Sequence, residues 1–357
     1  MADIGHKETD EIIDAMTGRV DDIYRTAVAD VQAKLDDYLQ RLDVKDRTKR
    51  LQLARGEITQ AEYNRWRTWQ IMIGQRWAEM RDTLALYLHH ANEIARSVVN
   101  GYMPEVYALN HDYATFTVEK AGHVDTSYTL YDRQTAERLL REEQILPEAG
   151  PSMKKRIAAG KDIAWQEGQI QSVTLQGIRQ GESIPNLSKR IARTLGESNH
   201  ASTIRYARTA STASQNAGRL DAYKRAEDMG IEMQQTWVAT LDGRTRHEHR
   251  ILDGQTVPIG EPFEVDGYKI RYPGDPTAEG FLIWNCRCTT IAQLKGFERD
   301  VTDLGLRHDD NIEGMSYDEW KEARSVYEPI TRQEEISEAM RERTIREDYN
   351  RRRRRRG

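Results

Sequence analysis

A stripe of apolar residues at helical spacing constrains the fold of this chain more than any other feature. Its members are Val20, Tyr24, Ala27, Val31, Leu35, Tyr38 and Leu42. Recurrence every three or four residues places them on one face of a long helix whose other faces carry charged residues. The first hundred residues are therefore predicted to form long amphipathic helices that pack against other helices.

A second stripe carries three of the seven tryptophans. It consists of Trp66, Trp69, Ile73, Trp77, Met80, Leu84 and Leu88. The favoured interpretation is a seam between helices inside the protein. The alternative is a docking face for another subunit, because tryptophan is enriched at the energetic centres of protein interfaces.

The sequence pattern changes after Gly230, which is well placed to end a helix. The runs predicted as strands are 237–241, 263–265, 268–272, 281–284 and 289–292. Asp266 and Gly267 suit a two-residue turn, so the second and third of these runs are predicted to pair as a hairpin. A further β-prone run, 113–118, interrupts the helical pattern.

These patterns predict an α+β fold. A mainly helical N-terminal body with long amphipathic helices is followed by a small turn-rich β unit and a charged helical C-terminal tail. The predicted regions are the long helices (1–150), a second helical region (151–230), the β unit (231–295) and the tail (296–357). The boundary near residue 150 rests on the linker-like run 147–151.

Charge is distributed unevenly along the chain. The net charge is −5, and removing the six positive charges of the terminal arginine block leaves −11. The block consists of Arg351, Arg352, Arg353, Arg354, Arg355 and Arg356. It is a candidate for non-specific contact with DNA, because each arginine that neutralises a phosphate releases a counterion. The alternative is a solvated tail that has no partner.

Composition argues against several classes of protein. Charged residues make up 31% of the chain and no run of 18 apolar residues occurs, so a membrane protein is not expected. Two cysteines cannot build a disulfide framework, and no secretory leader is recognisable at the first residues. A reducing cytoplasm is the expected compartment.

The predicted β unit contains residues typical of a metal site. Cys286 and Cys288 form a C-x-C pair, and thiolates with imidazole are ligands that Zn²⁺ prefers. His249 or His247, with Asp242, could complete a structural zinc site and so stabilise a small domain. One alternative is a pair of buried free thiols beside a hydrogen-bonded histidine. The other is a thiol nucleophile with a histidine partner.

An ordered series of motifs runs from about Trp165 to Leu294. Its residues include Gln176-Gly177-Ile178, Arg190-Ile191-Ala192, Ala207-Arg208-Thr209-Ala210, Asn216-Ala217-Gly218-Arg219, Trp237, Asp242, Arg246, His249, Gly254, Asn285, Cys286 and Cys288. This series closely resembles the phage head morphogenesis family, which comprises the Mu F-like and SPP1 gp7-like minor head proteins of tailed bacteriophages.

The resemblance implies a minor capsid protein of the virion, located in the capsid interior or at the portal vertex and present in the host cytoplasm during assembly. The implied partners are the portal protein and a scaffold or major capsid protein, without a membrane. The implied roles are procapsid assembly and DNA packaging or ejection. Phage DNA would be a further partner through the arginine block.

The chain departs from the family pattern at the metal site. Many members of the family carry cysteine at the positions of Arg246 and His249, and a histidine ahead of the C-x-C pair. Here 273–276 reads Pro-Gly-Asp-Pro instead. The resemblance therefore implies a reduced set of metal ligands in this chain.

The leading hypothesis is a structural head protein without enzymatic activity. A second hypothesis is a metal-dependent enzyme that acts on DNA through the candidate metal ligands. A third is a nucleic-acid-binding accessory protein that acts through the arginine block. Some relatives carry a toxin or enzyme domain after the shared module, and the segment after Lys295 is expected to be too short and too charged for one.

Overall fold

The computed structural model describes residues 3–147, 161–295 and 307–324. These residues divide into two compact units. The first unit contains the described residues of 1–17, 98–150 and 205–334, and the second contains those of 18–97 and 151–204. The linker-like residues 148–151 and the arginine block lie outside the described residues.

Long helices dominate the described residues, and short strands gather towards the end of the chain. The helices are α1 (Ile4–Ala54), α2 (Gln60–Met72), α3 (Gln75–Gly122), α4 (Arg133–Glu142), α5 (Lys161–Arg179), α6 (Ile184–Asp228), α7 (His247–Leu252), α8 (Gly280–Ile283) and α9 (Tyr317–Ala323). The strands are β1 (Val124–Asp125), β2 (Met233–Val238), β3 (Thr256–Pro258), β4 (Phe263–Val265), β5 (Tyr268–Ile270), β6 (Thr289–Leu294) and β7 (Arg307–His308). This architecture confirms the α+β class. Within these ranges no helix holds an apolar stretch that would cross a bilayer.

The second unit is a helical core built on the first apolar stripe. Every member of that stripe is buried along α1, so the predicted amphipathic helix is confirmed. Val31, Leu35 and Leu42 pack in one cluster with residues of α3, α5 and α6. A capping box at Thr59 starts α2, because its hydroxyl accepts the Glu62 amide while the Glu62 carboxylate accepts the Thr59 amide.

The second stripe is divided by a break between α2 and α3. Gly74 has a φ of 92°, a left-handed conformation that glycine adopts without steric cost, and it separates the two helices. Trp77, Leu84 and Leu88 lie in the core, which confirms the interior seam for this half of the stripe. Trp69 is 59% exposed, so a docking role for that residue stays a prediction.

The first unit contains the strands. β2 is the central strand of an antiparallel sheet in the order β3–β2–β6, and Trp237 on β2 lies opposite Thr290 on β6. β4 and β5 form the predicted hairpin. Asp266 and Gly267 connect them, both at positive φ, as the predicted two-residue turn requires. Strand prediction was thus correct for 263–265 and 289–292, and correct in part for 237–241.

Two predicted strands are helical instead. Residues 113–118 lie within α3, where Ala114, Phe116 and Val118 are buried. Burial on several sides of a helix outweighs the weak β propensity of such residues. Residues 281–284 mostly form the single turn α8, which points both Leu282 and Ile283 into the core of the β unit.

A glycine permits close packing of α3 and α6 in the first unit. A Cβ atom on Gly218 would overlap the carbonyl oxygen of Tyr107 and lie 3.3 Å from the backbone nitrogen of His111. Backbone atoms cannot move aside as a flexible side chain can. The Asn-Ala-Gly-Arg motif therefore carries its glycine for a packing reason.

Replacing Gly218 by alanine should destabilise the protein by about 2–3 kcal/mol, because the added methyl group forces α3 and α6 apart. Gly101→Ala is the matched control, since Gly101 is also within a helix and has open space around its Cα. That control should instead stabilise by about 0.5–1 kcal/mol. Urea unfolding measures both changes, and equal stability of the two variants would contradict the packing argument.

Candidate metal centre

Three of the candidate metal ligands come together inside the β unit. His249 lies on α7, and Cys286 and Cys288 lie on the loop between α8 and β6. All three side chains are buried, and their ligand atoms lie within 4.8 Å of one another. Trp237 packs edge-on against the His249 ring at 5.8 Å between centroids. The sequence therefore places two thiols and one imidazole in a closed apolar pocket.

The His249 ring is oriented as a metal ligand would be. Its Nε2 lies 3.0 Å from the carbonyl oxygen of Leu282. Because a carbonyl only accepts hydrogen bonds, this contact places the ring proton on Nε2. The other nitrogen, Nδ1, lies 3.2 Å from Cys288 Sγ and 3.6 Å from Cys286 Sγ, so its lone pair faces both sulfurs. Such a carbonyl partner fixes the tautomer of many metal-binding histidines.

The two thiols have different acidities. Burial raises the pKa of the Cys286 thiol. The hydrogen bond from Cys286 lowers the pKa of Cys288 below its usual range. The backbone amide of Cys288 also points at Cys286 Sγ at 3.4 Å. The pocket thus favours one thiolate beside a second sulfur and an imidazole nitrogen, which is a ligand set suited to a soft or borderline cation.

Asp242 and His247 are not brought into this cluster. The Asp242 carboxylate accepts two hydrogen bonds from Arg287, each of 2.8 Å, and a third from the Arg244 amide. The Arg287 hydrogen bond is the main reason why the pKa of Asp242 is far below its usual range. His247 is exposed at the start of α7. Of the two candidate histidines, the structure therefore places His249 with the cysteines.

The remaining motif residues shape the same pocket. Arg246 occupies the N-cap position of α7, and its Nη1 donates to the Trp284 carbonyl at 2.7 Å. Gly254 has a φ of 76° and donates its amide to the Trp237 carbonyl. Asn285, at a φ of 57°, begins the turn that carries the C-x-C pair. These residues hold the loops around the three candidate ligands.

A polar face of α6 clasps the C-x-C loop, and sequence reasoning missed its role. Thr209 accepts the Asn285 amide at 3.0 Å, and Thr212 donates to the Cys286 carbonyl at 2.6 Å. One turn further along, the Asn216 side chain donates to the Cys288 carbonyl and accepts the Thr290 amide. Thr209, Thr212 and Asn216 recur at three or four positions along α6. This polar spacing was the signal in the sequence that could have indicated their role.

Arg219 completes the clasp and ties it to the N-terminal residues. Its guanidinium is buried and donates to the Thr290 carbonyl at 3.0 Å. It also donates to both carboxylate oxygens of Asp3 and to Asn110 Oδ1. A buried guanidinium is stable only when its donors are matched in this way.

Comparison with known proteins covers the segment that contains these residues. Residues 168–291 match the family model described as Phage Mu protein F like protein. This segment is similar to the Mu protein F-like family. The resemblance to the phage head morphogenesis family is confirmed, and the matched segment includes the polar residues of α6, the three candidate ligands and the first half of β6.

Two relatives extend the similarity beyond that domain. Minor head protein GP7 of Bacillus phage SPP1 is 24% identical over 332 residues, which cover 90% of this chain and 96% of that protein. NAD(+)--arginine ADP-ribosyltransferase EFV of Enterococcus faecalis (strain ATCC 700802 / V583) is 24% identical over 305 residues, which cover 84% of this chain and 55% of that protein. This chain thus spans about half the length of the Enterococcus relative. No solved structure gives a significant match.

Replacing Asn216 by alanine should destabilise the protein by about 3 kcal/mol, because the Cys288 carbonyl and the Thr290 amide would be left buried without partners. Asn186→Ala, an exposed position on the same helix, is the control and should change stability by less than about 0.5 kcal/mol. Chemical unfolding followed by tryptophan fluorescence compares the two. A small effect at Asn216 would show that the clasp contributes little.

Proposed function

We propose that this protein is a structural minor head protein that acts by binding at the portal vertex of a phage particle, without catalytic turnover. The observation that carries the proposal is the match to the SPP1 minor head protein, which extends over nearly the full length of both chains. The domain match over 168–291 supports the same assignment. The proposed partners are the portal protein and a scaffold or major capsid protein, and the proposed location is the virion.

The geometry of the candidate metal centre favours a structural role. His249, Cys286 and Cys288 are each at most 3% exposed, so a substrate could not reach their ligand atoms without local opening. Catalytic metal sites keep one position open to water or substrate. A metal-dependent DNA enzyme built on these residues is therefore the weaker proposal.

The Enterococcus relative suggests a second candidate function, transfer of ADP-ribose to arginine. Only 55% of that protein is covered by this chain, so the activity in its name concerns a longer protein. The described residues of the β unit instead place two thiols and an imidazole in a closed pocket. The structural role is therefore the proposal that we retain.

The proposed metal is Zn²⁺, held by His249 Nδ1 and the sulfurs of Cys286 and Cys288. The residues fit such an ion, since the ring tautomer is fixed by Leu282 and a thiolate is favoured at Cys288. The ion would add a cross-link between α7 and the loop before β6. Zinc would thereby stabilise the small β unit rather than supply chemistry.

Protein purified from zinc-supplemented cells should contain about one zinc ion per chain, measured by elemental mass spectrometry. Removal by chelator should lower Tm by about 3–4 °C, because an ion at a hundred times its Kd contributes about 2.7 kcal/mol. Cys288→Ser should lose the ion and the chelator response.

His247→Ala is the matched control for this experiment. His247 lies two residues from His249 but is exposed and outside the cluster, so its removal should leave both zinc content and Tm unchanged. If wild-type protein contains no zinc and chelator does not change its Tm, the proposed metal site is wrong. The two cysteines would then be a hydrogen-bonded pair of free thiols.

Mass spectrometry of purified procapsids and mature virions tests the head-protein role. A few copies per particle in both are expected for a minor component at a single vertex. Particles lacking the portal protein should lack this protein as well. Absence from both procapsids and virions would contradict the proposal.

A further inference from the structure

The surface beside the C-x-C loop carries a concentration of arginines, none of which is a candidate metal ligand. We call this set the arginine face. It consists of Arg205, Arg208, Arg244, Arg246, Arg250 and Arg287. The first two lie on α6, the next three lie on or just before α7, and the last stands between the two cysteines.

One half of the arginine face surrounds Asp242. Arg287 donates to both carboxylate oxygens at 2.8 Å, and Arg244 Nη2 lies 3.6 Å from one of them. Arg250 reaches the same residue from α7, where its Nη2 donates to the Asp242 carbonyl at 2.8 Å. The Asp242 carboxylate is thus shared by two guanidinium groups, those of Arg287 and Arg244, and Arg250 holds the backbone of the same residue.

The other half lies around Trp284, three residues before Arg287. Arg246 donates to the Trp284 carbonyl, and the Arg205 guanidinium lies over the indole ring, 6.0 Å from its centroid. Arg208 is exposed one turn further along α6. The short segment 284–287 therefore joins the two halves into one surface.

The arginine face has an excess of fixed positive charge. Among the residues that the structure describes, Asp242 is the carboxylate that forms ion pairs with these arginines. The arginine face thus holds six guanidinium groups and one carboxylate that is paired with them, in a chain whose net charge is −5. Backbone contacts of Arg246 and Arg250 hold their side chains in place, which lowers the entropy lost when an anion binds.

We propose that the arginine face binds the phosphate backbone of duplex DNA without reading its sequence. Guanidinium groups match phosphate oxygens in a planar, two-donor geometry, and several in one surface suit a polymer of phosphates. The Trp284 indole is covered by Arg205 and is only partly exposed, so it offers no platform for stacking on a base. Contacts of this kind supply affinity and position but no sequence preference.

The test uses the full-length chain with Arg351 to Arg356 all replaced by glutamine, so that the terminal block cannot mask the arginine face. In this background, Arg205→Gln, Arg208→Gln and Arg244→Gln are combined, because these residues are exposed and their guanidinium groups donate to no backbone carbonyl of the described residues. Binding to a fluorescent 30-base-pair duplex is followed by anisotropy between 50 and 200 mM salt. Loss of three phosphate contacts should reduce the slope of log K against log salt by about 2.7.

The control removes the same charge from the second unit. Arg25→Gln, Arg47→Gln and Arg193→Gln affect side chains that are at least 73% exposed and leave the arginine face intact. The control should keep the parental affinity and slope. The single variant Arg244→Gln, at a 77% exposed side chain, should reduce the slope by about 0.9 and is not expected to affect folding.

Two outcomes would overturn the proposal. In the first, the triple variant binds DNA with the same affinity and slope as the control. In the second, polyglutamate displaces the duplex at an equal concentration of negative charge, which would assign the arginine face to an acidic protein surface. A reduced slope in the triple variant, with no displacement by polyglutamate, would support the assignment to DNA.

Discussion

The β unit depends on one interaction, in which side chains of α6 form hydrogen bonds with the backbone of β6 at the edge where a neighbouring strand would otherwise pair. β6 pairs with β2 on one side, and on its other side no strand is hydrogen-bonded to it in the described residues. Side chains of α6 serve that edge instead, with Asn216 and Arg219 on the Thr290 backbone and Tyr223 on the backbone of Ala292. Because an open strand edge is a template for aggregation, this cover protects the sheet and fixes the C-x-C loop.

The parts of the fold that could be predicted are those that a local sequence pattern determines. Apolar periodicity identified α1 and the buried half of the second stripe, because those helices bury one continuous face. Asp266-Gly267 identified the hairpin, since its turn chemistry is local. Periodicity failed for 113–118 and 281–284, where helices are buried on more than one side. Long-range packing decided their conformation, and no local pattern records it.

The types of residue in the candidate site could be predicted from the sequence, but not which of the candidate residues lie together in the cluster. Cys286, Cys288 and His249 carry the chemistry that a metal needs, and the structure brings them together. Asp242 was an equally reasonable ligand by chemistry, but its carboxylate is paired with Arg287. That pair forms across 45 positions of sequence. Only the folded arrangement of α7 and the C-x-C loop shows which acid meets a cation and which imidazole meets a thiol.

Arg246 connects the metal centre with the arginine face. The family resemblance implies cysteine at this position in many relatives, where it would supply a further metal ligand. A guanidinium has no lone pair to donate to a metal and stays protonated at any ordinary pH. Arg246 lies 3.5 Å from His249 and turns its Nη1 to Trp284. Arginine at position 246 therefore supplies no metal ligand, and in the proposed arginine face its charge would favour an anion instead.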